Sequence, residues 1–338
     1  MHRDTQTHSG AKRRGRTDVT PIPCPAVQPS DKSPVSDTVT IAVDRPGRRG
    51  EKIVVWAARA VWLLVAVVGG AAIGQALSDH STAVQRVGTV GSWVGWAAVA
   101  IAIAVPSTIG LTIVRSVVPA GVTIAIIASV AGAGAADAAV LIGLAVLMAA
   151  LTGAAEFGQS FAQGSAYGHE RRFVLRPPVA FMLPAAASWC VLCAAAITGP
   201  LLLAARSWPA GSAISLLALA AGWFLGRRFH VLSRRWLVLV PAGLVIHDQL
   251  VLAETAMLPR ASLATLGLAL ADTQAADLTG PAAGHAVEVG LLEATTVVLA
   301  PTRSKPNGTA LHVRSLLVTP TRPGRFLRAA ATDHLPVG

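Results

Sequence analysis

The chain of 338 residues is 53% hydrophobic, carries only 13% charged residues and has a formal net charge of +11. Soluble domains average about 25% charged residues, because a surface that faces water needs charge and one that faces lipid excludes it. The composition therefore indicates a membrane protein. The excess of basic over acidic residues lies in the N-terminal tail and in the loops between the apolar runs. Nucleic-acid binding needs one basic face, so a nucleic-acid partner is excluded.

Residues 1–52 form the first predicted region, a basic cytoplasmic tail rich in Pro, Ser, Thr, Asp and Arg. Such a segment buries too little apolar surface to offset the entropy lost on ordering, which predicts disorder. We do not expect a signal peptide here, because the first apolar run begins about fifty residues into the chain.

A transmembrane helical bundle is predicted for residues 53–230, which contain six apolar runs. About 20 helical residues cross a hydrocarbon core of about 30 Å, and the runs are close to that length or longer. Pro106 is predicted to kink the second helix. The breaks between runs two, three and four are very short, so five helices is the alternative count. The six runs are 54–77, 91–113, 117–134, 138–157, 178–204 and 209–226.

The arginines between the runs predict the orientation of the chain. With six spans and the tail inside, the cytoplasmic side holds Arg115 at the end of the second run, the 157–177 loop, and Arg227-Arg228. The outer loops then hold only two arginines. Positively charged loops stay on the cytoplasmic side. Composition rich in Ala, Gly, Val and Arg is typical of high-GC bacteria, so we expect a multi-pass protein of a bacterial cell membrane with both termini cytoplasmic.

Beyond the sixth run the sequence changes to short strand-like stretches separated by turn residues. This pattern predicts an independent, small cytoplasmic β-rich domain for residues 231–338. The segment WLVLV-PAG-LVIHD (236–248) predicts two strands around a tight turn. A Pro soon after the candidate N-cap Thr321 predicts a C-terminal helix that places Phe326 and Leu327 against the sheet. Further strands are predicted at 250–258, 286–292, 295–300 and 311–319.

The hairpin RRWLVLVPAGLVIHD and the following LVLAETAMLPRASLATLGL resemble bacterial pleckstrin-homology-like (PH-like) domains. This resemblance covers about a third of the chain. It implies a strand-rich fold closed by a C-terminal helix, with an adaptor or assembly role at the membrane. The PH-like relatives often have two membrane helices before the domain, whereas this chain has six predicted ones. The whole chain also resembles multi-pass membrane proteins of high-GC Gram-positive bacteria, a likeness that implies no activity.

Two features of the spans invite a chemical interpretation. Cys190-x-x-Cys193 places two thiols on one helix face, but a redox or metal role needs a lowered thiol pKa, which an apolar surrounding does not provide. We therefore expect both thiols to pack as small apolar groups. Asp137 and Glu156 lie at the two ends of the fourth run, where helix capping or contact with water is expected and a proton or ion site is the alternative.

The cytoplasmic loop between the fourth and fifth runs carries His169-Glu170-Arg171-Arg172. The first two residues match the start of the zinc-protease motif H-E-x-x-H, but Phe173 stands where the second His would be. No P-loop, nucleophile elbow or dinucleotide fingerprint is present either. We expect no enzyme, no cofactor and no metal. The candidate functional polar residues are Glu156, His169, Glu170, Arg171 and Arg172.

The function that these observations favour is a non-enzymatic anchor or adaptor, which presents the cytoplasmic domain to a protein partner or to lipid headgroups. A small-solute transporter or channel is the alternative, using Pro106, the Gly-rich third run and Glu156. A membrane enzyme acting on lipid-linked substrates is a third hypothesis, to which only the polar 156–172 stretch would contribute. The lipid bilayer is one expected partner. Gly-x-x-x-Gly spacings in the first two runs predict helix packing, either within the bundle or in a homo-oligomer.

Overall fold

The computed structural model describes residues 48–301 and 305–338, so residues 1–47 of the tail predicted to be disordered lie outside the described residues. The prediction is wrong for residues 48–52, which form the start of the first long helix. Six helices are long and apolar enough to cross a membrane, which confirms the predicted count of six. Two shorter helices, α5 (Ala155–Gly164) and α8 (Pro323–Thr332), accompany them. The six long helices are α1 (Arg48–Leu77), α2 (Thr82–Ala104), α3 (Thr108–Val130), α4 (Ala135–Gly153), α6 (Val179–Ala204) and α7 (Trp208–Ser233).

The predicted kink at Pro106 is wrong, because Pro106 lies in the break between α2 and α3. Proline lacks a backbone N–H and keeps the preceding residue out of the helical region, and Val105 has φ −117° and ψ 89°. Ser107 then caps α3 by accepting a hydrogen bond from the backbone N–H of Gly110 at 3.0 Å. This boundary moves Arg115 from the predicted end of the second span into the first half of α3.

The fourth apolar run ends early, and a separate short helix follows it. The helix α4 ends at Gly153 and α5 begins at Ala155, so Glu156 belongs to α5. One face of α5 carries Phe157 and Phe161, whose buried rings stack with centroids 4.4 Å apart. Residues four apart share a helix face, so α5 is an amphipathic helix that packs its phenylalanines against the bundle.

Two hydrophobic clusters hold α1–α4 together, one near α5 and one at the opposite end. We call the end of the bundle that contacts α5 the sheet end, because strands lie beside it, and the opposite end the far end. The sheet-end cluster consists of Val55, Ala58, Val61, Trp62, Val99, Ala102, Ile103, Leu111, Val114, Val118, Met148, Phe157 and Phe161. The far-end cluster consists of Ala72, Ala125, Leu141 and Ala145.

The last two long helices, α6 and α7, form a hairpin whose close contact depends on glycine. A Cβ added at Gly199 would lie 2.6 Å from the Ser215 Oγ, and one at Gly211 would lie 2.7 Å from the backbone N of Leu203. No side chain fits at either position without separating the helices. Small residues permit such close approach between helices that pack in lipid.

The glycine pairs that suggested helix packing are placed differently. A Cβ added at Gly70, Gly74 or Gly91 would meet no other atom within 4 Å, and one at Gly95 would meet only Val117 at 3.9 Å. Within the described residues these glycines therefore bring no two helices into close contact. Of the two predicted roles, packing within the bundle is wrong, and contact with a second copy stays a prediction.

The eight strands in the described part of the chain form two four-stranded sheets. The order of the first sheet is β1 (Arg171–Val174), β2 (Trp236–Val240), β3 (Gly243–His247) and β4 (Ala256–Pro259), all antiparallel. The order of the second is β5 (Leu263–Leu268), β7 (Val287–Leu299), β8 (Thr309–Val318) and β6 (Ala276–Asp277), with β6 parallel to β8. A C-terminal domain rich in sheet and ending in a helix, α8, is thus confirmed.

The strand β1 was missed by the sequence analysis, and it comes from outside residues 231–338. It follows α5 in the predicted 157–177 loop and pairs with β2, where Val174 lies opposite Trp236. Its two leading arginines suggested a charged loop, yet Phe173 and Val174 are buried. The first sheet therefore contains chain from both sides of the α6–α7 hairpin.

The two sheets share one hydrophobic core, which α8 covers. Phe326 of α8 is fully buried there and meets Phe173 of β1 edge to face, with ring centroids 5.3 Å apart. Leu327 packs against the same core, as predicted. At the β2–β3 turn, Gly243 has φ +150° and a Cβ there would lie 2.2 Å from the Leu258 carbonyl oxygen, so this turn requires glycine.

Most predicted strands lie where the sequence placed them, with two corrections. The stretches 286–292 and 295–300 form the single strand β7, whose register against β8 shifts between Gly290 and Thr295. A bulge of this kind interrupts the alternation of side chains, which made one strand look like two. The other correction concerns 250–258, which is mostly turn and contributes only its last residues to β4.

Candidate functional site: the junction of the bundle and the sheets

The five candidate polar residues all lie in the segment from α5 to β1, beside the sheet end of the bundle. Glu156 is in the first turn of α5, His169 is exposed in the turn that follows α5, and Glu170 precedes β1. Arg171 and Arg172 open β1. The structure gives these side chains different partners, so they form a chain of contacts between elements.

Glu170 and Arg172 pair with each other at the start of β1. The Arg172 Nη2 donates to the Glu170 Oε1 at 2.7 Å, and the same oxygen accepts the backbone N–H of Tyr167 at 2.6 Å. The Arg172 guanidinium also lies 5.1 Å from the ring centroid of Trp236 on the neighbouring strand. This cation–π contact and the ion pair fix the arginine against the outer face of the first sheet, which is the face turned away from the shared core.

Arg171 joins β1 to the C-terminal helix. Its Nη1 lies 3.4 Å from the Ala329 carbonyl oxygen and 3.5 Å from the Asp333 Oδ2, at the end of α8. A cation at this position also complements the negative end of the helix dipole. Arg171 therefore acts as a link between the edge of the first sheet and α8.

Two glutamines of α5 bind the outer edge of β1, and the sequence analysis missed both. Gln159 donates to the Arg172 carbonyl oxygen and accepts the Val174 N–H at 3.3 Å. Gln163 accepts the Arg172 N–H at 3.0 Å and donates to the Glu170 carbonyl oxygen at 2.9 Å. An exposed strand edge leaves unpaired backbone groups, which these side chains satisfy. The available signal was the spacing of the two glutamines, four residues apart and two residues after each phenylalanine of α5.

The N-terminal end of α8 is held to the bundle by two ion pairs. Arg325 lies 2.6 Å from Glu51 of α1, and Arg322 contacts Glu156 of α5. Partly exposed pairs of this kind contribute about 1 kcal/mol or less each. They nevertheless fix the position of α8 relative to the first turns of α1 and α5.

A buried ion pair lies where α7 passes into β2. Arg235 forms two hydrogen bonds with Asp248, from Nε to Oδ1 at 2.8 Å and from Nη2 to Oδ2 at 2.6 Å, and both side chains are about 1% exposed. The guanidinium also donates to the carbonyl oxygens of Arg176 and Thr279. Arg235 thus joins the end of β3, the segment before α6 and the loop after β6.

His247 lies on the outer face of the first sheet, where its ring stacks on Trp236 with centroids 5.4 Å apart. The Nδ1 lies 2.9 Å from the Thr255 hydroxyl. Burial lowers the pKa of His247, and the positive charges of Arg234 and Arg172 lower it further, while Asp248 opposes the shift. The neutral imidazole is therefore favoured in the folded chain.

Reactive groups elsewhere in the described residues are dispersed. No three His, Cys, Asp or Glu side chains among residues 48–301 and 305–338 come together as a metal-binding group. Cys190 is exposed and Cys193 is buried on α6. At the junction, the acidic side chains form ion pairs with arginines, and these pairs hold elements of the chain together.

Two cavities lie between the long helices. The larger, of about 550 Å³, is between the far ends of α1, α2, α3 and α6, and it is mostly apolar with His80, Ser92 and Thr198 in its wall. The smaller, of about 140 Å³, lies between α1, α2 and α3. Both are lined by Ile73, Gly91, Ser92 and Ile124. The larger cavity therefore lies at the far end, whereas the smaller one is also lined by Trp62 of the sheet-end cluster.

Comparisons with protein-family models, with curated proteins and with solved structures found no match for this chain. The resemblances to PH-like domains and to multi-pass membrane proteins of high-GC Gram-positive bacteria therefore stay predictions.

Proposed function

We propose that this protein is a non-enzymatic membrane anchor or adaptor, which holds a PH-like domain in a fixed orientation at the cytoplasmic surface. The domain would bind a protein partner or lipid headgroups there. The observation that carries this proposal is β1, a strand of the domain that lies between two membrane-compatible helices in the chain.

The pairing of β1 with β2 supports the proposed topology. The chain between the two strands contains α6 and α7, and paired strands must lie on the same side of a membrane. The number of crossings between them is therefore even, as expected for a hairpin of two spans. The packing of α5 against the N-terminal half of α1 brings the start of α1 to the same side. The positive charge of the loops makes that side the cytoplasm.

The contacts at the junction support a fixed orientation. Only Arg234 and Arg235 separate α7 from β2, and the second of these residues is buried in its ion pair with Asp248. On the other side of the domain, Arg322 and Arg325 hold α8 to α5 and α1. A domain attached at so many points cannot rotate as it would on a flexible linker, so its exposed faces keep a constant direction relative to the bilayer.

The proposed PH-like assignment draws support from the architecture. The resemblance implies a strand-rich domain closed by a C-terminal helix, and the chain has two four-stranded sheets around one core with α8 packed on it. Two departures are the strand β1, which precedes α6, and the parallel pairing of β6 with β8. A PH-like module used as an adaptor would bind its partner through the surface that faces away from the bundle.

Cysteine labelling tests the orientation. In a chain whose three cysteines are replaced by alanine, Asp79→Cys or Tyr167→Cys would add one exposed thiol at the far end or at the sheet end. We expect a membrane-impermeant maleimide to label Asp79→Cys on intact cells, and to label Tyr167→Cys only after permeabilisation. Labelling of Tyr167→Cys on intact cells would overturn the proposed orientation.

Photo-crosslinking tests the adaptor role. Leu270 and Leu292 are exposed on the sheet domain, and Leu219 of α7 is a matched exposed leucine of a long helix. With a photoreactive residue at each position in native membranes, we expect a discrete protein or headgroup adduct at a domain position and only acyl-chain adducts at position 219. The chemical identity of the adduct shows whether the domain binds a protein partner or lipid headgroups. Equal, acyl-chain-only adducts at all three positions would contradict the adaptor function.

The alternative is a small-solute transporter or channel, and the two cavities between the long helices are the observation that favours it. Two of the features first considered for transport are placed elsewhere, since Pro106 lies between helices and Glu156 pairs with Arg322. The cavity walls are mostly apolar, which suits an apolar solute better than an ion. Solute uptake by proteoliposomes, compared with that of a Gly91→Leu variant that would fill the shared wall, tests this alternative.

A further inference from the structure

Arg115 is a charged side chain within a membrane-compatible helix. It is the eighth residue of α3, about 10 Å along the helix axis from the first residue, on the sheet-end half. Its side chain is largely buried but keeps some exposed surface. Among residues 48–301 and 305–338 its guanidinium has no hydrogen bond or ion pair. Ionisable residues in spans normally pair with one another or with backbone carbonyls, so an unpaired arginine there points to a missing anion.

The guanidinium of Arg115 lies against the first turns of α5. A Cβ added at Gly158 would be 2.6 Å from the Arg115 Nη2, so the absence of a side chain at Gly158 makes room for the charge. The N-cap of α5, Ala154, has no side chain that could accept a hydrogen bond from the free N–H groups of the first turn. The positive end of a helix dipole and an arginine thus adjoin each other, an arrangement that an anion between them would stabilise.

The acidic side chains at the sheet end do not supply that anion. Each one already forms an ion pair with another arginine. These pairs are Glu51–Arg325, Glu156–Arg322, Glu170–Arg172, Asp333–Arg171 and Asp248–Arg235. The anion that neutralises Arg115 must therefore come from outside the described part of the chain.

Two hydrogen bonds show that the turns of α3 next to Arg115 pack against other helices. The indole N–H of Trp189 on α6 donates to the Ser116 carbonyl oxygen at 2.9 Å, and the Thr112 hydroxyl lies 3.0 Å from the His230 Nδ1 on α7. Both contacts involve the turns of α3 next to Arg115. Basic recesses between helices on the cytoplasmic side are a known form of anionic-lipid site.

We propose that Arg115, together with the uncapped N-terminus of α5, binds the phosphate group of an anionic phospholipid from the cytoplasmic leaflet. The inference rests on the proposed membrane topology, which places Arg115 within reach of the cytoplasmic leaflet. The phosphate-binding chemistry alone would suit free phosphate equally well. A phosphate oxygen accepts from the planar, bidentate guanidinium and from the backbone N–H groups, and the acyl chains remain in the bilayer beside α3.

Native mass spectrometry of the full chain in detergent tests the proposal, with phosphatidylglycerol as the probe and phosphatidylcholine as the zwitterionic reference. We expect phosphatidylglycerol to bind preferentially and Arg115→Gln to weaken it about ten-fold or more, the loss expected for a charge-assisted hydrogen bond. The matched control is Arg227→Gln. Arg227 is exposed and lies towards the sheet end of α7, so this variant should leave the binding of phosphatidylglycerol unchanged.

A second variant keeps the test valid if Arg115→Gln does not fold. Gly158→Ala retains the arginine but displaces its guanidinium, so it should also weaken phosphatidylglycerol binding. Equal effects of Arg227→Gln and Arg115→Gln would reduce the binding to general surface charge and overturn the site. If inorganic phosphate displaced bound phosphatidylglycerol as effectively as an equal concentration of free phosphatidylglycerol does, the lipid assignment would be overturned. Alkaline extraction of membranes distinguishes a failure of the lipid site from a failure of the proposed membrane function. If alkali extracts the wild-type chain from membranes, the membrane function itself is contradicted.

Discussion

Trp62 of α1 and Trp96 of α2 each donate an indole N–H to the other's backbone carbonyl oxygen, at 3.0 and 2.9 Å. The two helices are thereby joined by a reciprocal pair of hydrogen bonds close to the sheet-end cluster, to which both side chains contribute. Tryptophan suits this role because its large ring fills apolar space while its one polar group needs an acceptor.

Removing one of these donors should destabilise the bundle modestly. Trp62→Phe keeps most of the apolar ring but loses the N–H, so we expect a loss of about 0.5–1.5 kcal/mol in the free energy of unfolding. Thermal unfolding of the full chain in detergent measures this loss. Trp208→Phe is the control, since Trp208 is exposed at the start of α7. Equal melting temperatures for Trp62→Phe and wild type would mean that the hydrogen bond contributes nothing.

The glutamines of α5 lead to a second prediction. Gln159→Leu leaves the Arg172 carbonyl oxygen and the Val174 N–H of β1 without their partner, which should cost about 1–3 kcal/mol. Hydrogen exchange should report the change directly, as faster exchange of the Val174 amide. Gln274→Leu, at an exposed position of the sheet domain, should leave exchange unaltered. Unchanged protection of Val174 in Gln159→Leu would show that α5 does not cover the edge of β1.

The buried pair of Arg235 and Asp248 should show strong coupling in a double-mutant cycle. Either Arg235→Met or Asp248→Leu alone leaves an uncompensated charge in the core, at a cost of about 3–5 kcal/mol. The double variant removes both charges and should cost much less than the sum of the single changes. Chemical denaturation of the four chains gives the coupling energy. Additive single effects would mean that the two side chains do not interact in the folded state.

His247 predicts how stability depends on pH. Its pKa is lowered in the folded chain, so the unfolded chain takes up the proton first as the pH falls. Stability is therefore complete above the ordinary histidine pKa of about 6.5 and declines below it, until the folded form is also protonated. Melting temperatures between neutral pH and about pH 5 should fall less steeply for His247→Gln than for wild type. His169→Gln changes an exposed histidine and should retain the wild-type slope.

Residues 231–338 alone should make a poor domain, contrary to the expectation of an independent fold. That fragment lacks Phe173 and Leu175, which belong to the core, and it exposes the edge of β2. Joining residues 154–176 to residue 234 through a short Gly/Ser turn replaces the α6–α7 hairpin and restores β1 together with α5, whose glutamines cover its edge. We expect this longer fragment to unfold cooperatively in a circular-dichroism melt and the shorter one to aggregate. Equal stability of the two would show that β1 is dispensable.

The sequence predicted the long helices well because each is set by local composition. A run of about 20 apolar residues has few alternatives, so the errors concern where the helices begin and end, as at the start of α1 and the end of α7. Pro106 marks such a boundary, and the sequence alone did not distinguish a kink from a break. Arg115 was misplaced for the same reason, since the second run was predicted to end at residue 113 and α2 ends nine residues earlier, at Ala104.

Long-range pairing explains what the sequence could not predict. The strand β1 is four residues long, begins with two arginines and has its partner beyond two intervening helices. Nothing within the segment itself shows that Phe173 enters a core. The spacing of Gln159 and Gln163 indicates a shared helix face, but not that this face meets a strand edge. The candidate residues Glu170, Arg171 and Arg172 were singled out for their charge, whereas their contacts depend on elements distant in the chain.

The chain order of β1 and β2 also determines when the first sheet can be assembled during synthesis. A ribosome delivers β1 before α6 and α7, so its partner strand does not yet exist when the segment emerges. The helix α5, whose glutamines bind the N–H and C=O groups of β1, has by then been synthesised. It can therefore keep the nascent strand extended until β2 arrives. In the proposed topology, assembly of the sheet would depend on the correct insertion of a helical hairpin, and a chain that inserted only one of the two helices would leave β1 and β2 on opposite sides of the bilayer.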